Sequence, residues 1–306
     1  MVRPLQPDVA IQRRVSSLVG TPNSWTAVSG GFSSAGLWTI DPRDRKLFVK
    51  AAVSDDTARF LRDEMRVLAG VNGARFLPEV IAFDDDGERP ILILEDLTEA
   101  HWPPPWSTSQ IDLCFGVLED IARTPPPPTL ASAAANLDLA GYWPSIAQEP
   151  AVVVGLGVVT ADWLALTIDA LIELSGDANL TGHQLLHCDI RSDNLCFSDR
   201  VVVVDWNWAA VGNPILDVVG WLPSLYLEGG PAPWELLTGH AEMVAGLGGF
   251  FLSHATKPRD PQVRADIRRF QRDQGVVCLE WLSHELGIPS PDGSPTMEQV
   301  IEQQTH

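Results

Sequence analysis

Apolar residues early in the chain fall into short runs with a strand-like period of two, interrupted once by a helical period. Runs at Trp25–Ser29, Leu37–Asp41, Lys46–Ala51, Glu79–Phe83 and Ile91–Glu95 predict strands. Between the third and fourth, Leu61, Met65 and Leu68 recur at helical spacing behind the start signals Asp55, Asp56 and Thr57. A polar helix is expected over 7–19. Residues 1–97 therefore predict a small β-rich lobe with one inserted helix.

The pattern then changes. LEDLTEAHWPPPW (94–106) carries prolines that can continue neither a ladder nor a helix, so 98–106 reads as a hinge. Beyond it Ile111, Cys114, Phe115, Leu118 and Ile121 make one helical stripe, and Trp163, Leu164, Ile168, Leu171 and Ile172 another. One strand pair, Leu195–Phe197 with Val201–Val204, interrupts the helices. Helical patterns return near 215–226, 234–247 and 261–286, before a flexible polar tail over 288–306. The expected fold class is α+β: two lobes, 1–97 and 98–306, the second larger and mainly helical.

Composition narrows the function. The 306 residues carry a net charge of −19, against a nucleic-acid binder, which needs a basic face. That charge suits a cationic small substrate, and a solvated acidic surface accounts for it equally well. Lysine is rare, only Lys46, Lys50 and Lys257 among 21 basic residues, so Lys50 inside an apolar strand calls for a specific reason. The four cysteines form no CxxC pair, and the longest apolar stretch, near 151–159, is too short to span a bilayer. A reduced, cytoplasmic setting without membrane attachment is expected.

The informative stretch is His187-Cys-Asp-Ile-Arg-Ser-Asp-Asn194, followed by a hairpin and Asp205-Trp-Asn207. A turn centred on Asp199-Arg200 would pair Leu195 with Val204 and set Asn194 opposite Asp205. An amide oxygen and a carboxylate would then converge as ligands for Mg²⁺, with phosphate oxygens completing the shell. Asp189 can reach the same mouth to position an attacking hydroxyl and accept its proton. Arg191 could neutralise charge at the transferring phosphoryl; the alternative is a salt bridge to Asp193 or Asp217.

HCDIRSDN followed by VVVVDWNWAAVGNPILDV resembles the catalytic core of the aminoglycoside phosphotransferase family, a protein-kinase-like fold that also includes choline, homoserine and sugar kinases. The resemblance implies Asp189 as catalytic base, Asn194 and Asp205 as metal ligands, and His187 as a loop brace. It implies Asp217 as the helix acid that accepts backbone hydrogen bonds from the catalytic loop. Cys188 departs from the pattern, standing where glycine is common; a buried small hydrophobe is its plainest reading.

The same resemblance asks for a nucleotide site in the first lobe. Gly30, Gly31, Ser33 and Ser34 would cover the phosphates. Lys50, paired with Glu64 on the inserted helix, would hold the α- and β-phosphates; a surface position, with Asp63 or Glu79 pairing instead, is the alternative for Glu64. Backbone groups near Glu95 and Leu97 would meet the purine. For the acceptor, Asp273 and Glu280 lie two turns apart on the last long helix, where a solvated face is the alternative. The implied activity is Mg²⁺-dependent transfer of the γ-phosphoryl of ATP or GTP to a small-molecule hydroxyl. An aminoglycoside-type antibiotic leads as acceptor, ahead of choline, homoserine or a sugar, and of a catalytically silent nucleotide-binding module.

Overall fold

The computed structural model describes residues 6–28, 35–42, 45–71, 73–258, 266–293 and 299. It has the two-lobed, protein-kinase-like α+β architecture. In the upper lobe β1 (Trp25–Ala27), β2 (Gly36–Ile40), β3 (Leu47–Ala51), β4 (Val80–Asp84) and β5 (Ile91–Glu95) form an antiparallel sheet in the order β1-β2-β3-β5-β4. β5 explains why Ile91-Leu-Ile-Leu reads as an unbroken apolar run. Ile91 and Ile93 join Trp38 and Val49 on one face, while Leu92 and Leu94 join the main core on the other.

The outer face is closed by α1 (Val9–Val19), started by Asp8, which accepts the Ile11 N–H. Val15 is fully buried against the sheet, and Arg14 bonds Asp84, Asp86 and the carbonyl of Arg89. The inner face takes α2 (Asp55–Gly70), begun by a Ser54–Thr57 capping box.

The lower lobe contains α3 (Thr108–Arg123), α4 (Ala133–Asn136), α5 (Tyr142–Gln148), α6 (Ala151–Val154), α7 (Ala161–Gly176), α8 (Ile215–Leu227), α9 (Pro233–Leu236), α10 (Ala241–Ala255) and α11 (Ile267–Leu286). Two small sheets join β6 (Gln184–Leu186) to β9 (Ala210–Gly212), and β7 (Leu195–Phe197) to β8 (Val201–Val203). The pattern expected as one helix over 234–247 is broken at residues 237–240 into α9 and α10. Gly246 and Gly249 lie inside α10, where a Cβ would come within 2.8 Å of Leu139 and 2.9 Å of Trp143, so they serve close helix packing.

One expected register is wrong by a residue. Leu195 pairs with Val203, not Val204, because the loop is a three-residue turn in which the Ser198 N–H donates to the Arg200 carbonyl. Asn194 therefore faces Val204, whose N–H bonds the Asn194 carbonyl at 2.8 Å. Asp205 lies beyond the ladder.

The expected hinge is fastened to the lower lobe. His101 and Phe197 exchange both backbone hydrogen bonds at 2.9 Å, and the Leu97 carbonyl accepts from Ala100 N–H and Trp102 Nε1. A rear seam joins the lobes independently of that segment. The Val203 N–H donates to the Phe76 carbonyl at 2.8 Å, and Arg200 bonds the Arg75 carbonyl and Glu95.

Candidate active site

β6 delivers the chain into the loop His187–Asn194, which is held from beneath by α8. Asp217, in the first turn of α8, accepts the N–H groups of His187 and Cys188, each at 2.7 Å. Burial holds its carboxyl above the ordinary range, and the hydrogen bonds from the His187 and Cys188 amides only partly offset that. His187 is fully buried. Its Nδ1 accepts the Asp189 N–H at 3.2 Å, which leaves Nε2 to carry the hydrogen that it donates to the Val204 carbonyl at 2.9 Å. One imidazole thus braces the backbone of Asp189 and the residue preceding Asp205.

Cys188 has φ +64°. That left-handed conformation is the reason glycine suits the position, and it disfavours β-branched residues most. Cys188→Val is expected to lower stability by about 1–2 kcal/mol, read as a fall in the urea midpoint, whereas Cys188→Gly keeps the fold. Burial raises the Cys188 thiol well above its usual range, so it stays protonated.

Asn194, in the 3₁₀ turn Ser192–Asn194, donates through Nδ2 to the Asp189 carbonyl at 2.8 Å and to Asp189 Oδ2 at 3.1 Å. Its amide oxygen is thereby turned to the opposite side. Arg191 pairs with Asp189 Oδ2 at 3.2 Å and Asp193 Oδ1 at 3.3 Å, so of the two salt-bridge partners weighed from sequence it takes Asp193. Burial pushes Asp193 above the ordinary carboxylate range, and Arg191 pulls it down.

Asp205 also has φ +64°. Asp is one of the few residues that adopts this conformation readily, and the turn brings its carboxylate against Lys50 from the other lobe. Lys50 Nζ bonds both Glu64 oxygens, at 2.8 and 2.9 Å, and Asp205 Oδ1. Lys50 is 5% exposed and Glu64 2%. Burial alone would depress the ammonium, yet the two carboxylates together raise it, so it is charged throughout the physiological range. For Asp205 burial acts upward, and Lys50 outweighs it to hold the carboxyl below the usual range. Glu64 is pushed up by burial, with Lys50 opposing.

Lys50, Glu64 and Asp205 border a cleft lined also by Leu37, Phe60, Leu61 and Asn207. Among the described residues no three His, Cys, Asp or Glu side chains are grouped to hold a metal. The protein donors on offer are two hard oxygens, from Asn194 and Asp205. That set fits Mg²⁺, which takes one or two protein oxygens and completes its shell with phosphates and water.

Gly30, Gly31, Ser33 and Ser34 lie outside the described residues. Glu95 donates its N–H to the Glu79 carbonyl, and its carboxylate bonds Arg200 and the Glu79 N–H. Asp273 is buried and bonded by Arg272 Nε at 2.8 Å, while Glu280 accepts the Ser290 hydroxyl at 3.0 Å. They form a buried ion pair and a separate surface contact, not one acidic face. Glu228, at the end of α8, was not singled out from sequence. It accepts the hydroxyl of Ser192 and Trp106 Nε1, tying the loop His187–Asn194 to the linker, and burial raises its carboxyl. A lone acid after an apolar helix carries no sequence signal for such a role.

Among solved structures, a spectinomycin phosphotransferase in complex with ADP and spectinomycin is 14% identical over 98% of this chain and 94% of its own, with a TM-score of 0.53. A Ralstonia eutropha JMP134 protein assigned to the aminoglycoside phosphotransferases is 15% identical over 90% and 98%, with a TM-score of 0.54. A choline kinase from Streptococcus pneumoniae is 15% identical over 97% and 96%, with a TM-score of 0.49. At these identities the first two likenesses show the fold alone. No curated protein matches the chain. A family model described as the phosphotransferase enzyme family matches residues 24–242, well over half of the sequence. The chain therefore belongs to the phosphotransferase enzyme family.

Proposed function

We propose that this phosphotransferase moves the γ-phosphoryl of ATP to a hydroxyl of a small molecule, with Mg²⁺ as cofactor. The observation that supports the reading is the meeting of Lys50 and Glu64 from the upper lobe with Asp205 from the lower, next to the loop that carries the hydrogen-bonded pair Asp189 and Asn194. Lys50 is the group for the α- and β-phosphates, fixed by Glu64. Asn194 and Asp205 would hold Mg²⁺, which when bound screens the β- and γ-oxygens. Asp189 orients the acceptor hydroxyl and takes its proton as oxygen bonds phosphorus and the bond from phosphorus to the ADP oxygen breaks. Arg191, beside Asp189, faces the charge that spreads over the transferring group.

The acceptor we favour is an amino sugar of the aminoglycoside type. The net charge of −19 suits a cationic ligand, and one structural neighbour is a spectinomycin phosphotransferase in complex with ADP and spectinomycin. No helix among the described residues is long and apolar enough to cross a membrane, and the setting we propose is cytoplasmic. A panel of aminoglycosides, spectinomycin, choline, homoserine and simple sugars, assayed for ADP or GDP release with MgATP and MgGTP, tests the reading. Turnover only with metabolic alcohols would replace the antibiotic acceptor. Failure to bind either magnesium nucleotide would defeat the proposal.

A further inference from the structure

We infer that Arg200 is a positioning residue for the adenine base, acting through Glu95; the inference rests on the nucleotide-binding reading above. Arg200 stands in the β7–β8 loop of the lower lobe, yet its guanidinium reaches the upper one. It donates to Glu95 Oε1, and through Nε to the Arg75 carbonyl at 2.9 Å. The two side chains are only 23% and 18% exposed, so solvent ions screen the pair weakly.

The Glu95 carboxylate has a second contact. Val80 lies opposite Leu94 in the β4–β5 pair, which sets Glu79 opposite Glu95. Glu95 N–H donates to the Glu79 carbonyl at 3.0 Å. A hydrogen-bonded antiparallel pair would complete the exchange with Glu79 N–H on the Glu95 carbonyl. That N–H goes instead to Glu95 Oε1, at 2.7 Å. The side chain intercepts the ladder donor that would otherwise occupy the Glu95 carbonyl, which we take, among the backbone groups expected to meet the purine, as the acceptor for its amino group. Arg200 holds the carboxylate in that intercepting position. Without it, the Glu79 N–H can turn onto the Glu95 carbonyl and compete with the base.

The test compares MgADP with the magnesium complex of purine riboside 5′-diphosphate, which lacks the 6-amino group, by isothermal titration. The wild-type chain is expected to prefer MgADP by about tenfold, the size of one hydrogen bond to a partly buried acceptor. Arg200→Ala should level the two ligands, and Arg200→Lys should restore most of the preference. A role confined to stability would weaken both ligands alike and leave their ratio unchanged. If Arg200→Ala does not fold, Glu95→Ala removes the same interception and should level the ligands in its place. A preference retained in the variant, or none in the wild type, overturns the inference. A wild-type chain that binds neither ligand overturns the nucleotide-binding reading, and this inference with it.

Discussion

Asp189→Asn is expected to cut turnover about a thousandfold, the range for losing a positioned general base, while fold and MgADP affinity stay as in the parent. The substitution preserves shape, and its side-chain oxygen can still accept from Asn194 Nδ2, as Asp189 Oδ2 does. The backbone brace is untouched, because His187 Nδ1 receives the Asp189 N–H and not the side chain. What disappears is the carboxylate proposed to take the hydroxyl proton. Release of ADP in a coupled assay reads the rate, and a thermal melt reads the fold. A variant that keeps most of its turnover would remove Asp189 from the chemistry.

Lys50→Ala is expected to cost about 3–5 kcal/mol of stability at neutral pH, because removing one partner strands buried charge. The residues stranded are Glu64 and Asp205, both bonded to the Lys50 ammonium. Burial already pushes Glu64 upward in the parent, and the opposing pull of Lys50 is lost in the variant. The sign of the pH dependence follows. A carboxyl whose pKa is raised on folding costs nothing below its unfolded value and destabilises as pH rises through the folded one. The deficit should therefore shrink as pH falls through the carboxylate range. Urea midpoints of both proteins across that range check it, and a deficit that grows in acid would contradict the buried Lys50–Glu64 pair. Nucleotide affinity should fall as well.

The upper lobe was legible because each strand and its inserted helix carry their own period. β5 was read at its observed bounds, and α2 at its observed start, where Asp55 and Asp56 follow the Ser54 cap. Glu64 was legible as a flank of the buried stripe, and is itself more buried than Met65. Legibility failed where long-range contacts decide. The β6–β9 pair joins three-residue strands distant in sequence, too short to show alternation. The β7–β8 register slipped by one because two-residue and three-residue turns use the same residue types, and only the Ser198–Arg200 bond distinguishes them. That slip matters for the site. Asp205 reaches Lys50 through a left-handed turn, not by facing Asn194 across a ladder. The roles of Glu228 and Arg200 depend on partners more than thirty residues away, which no local pattern encodes.

The seam at Val203–Phe76 has a consequence for the cleft. Val203 bonds Phe76 only two residues before Asp205 meets Lys50, so one short stretch of the lower lobe is tied to the upper lobe twice. The backbone bond to Phe76 thereby fixes where the turn at Asp205 begins, and with it the reach of that carboxylate.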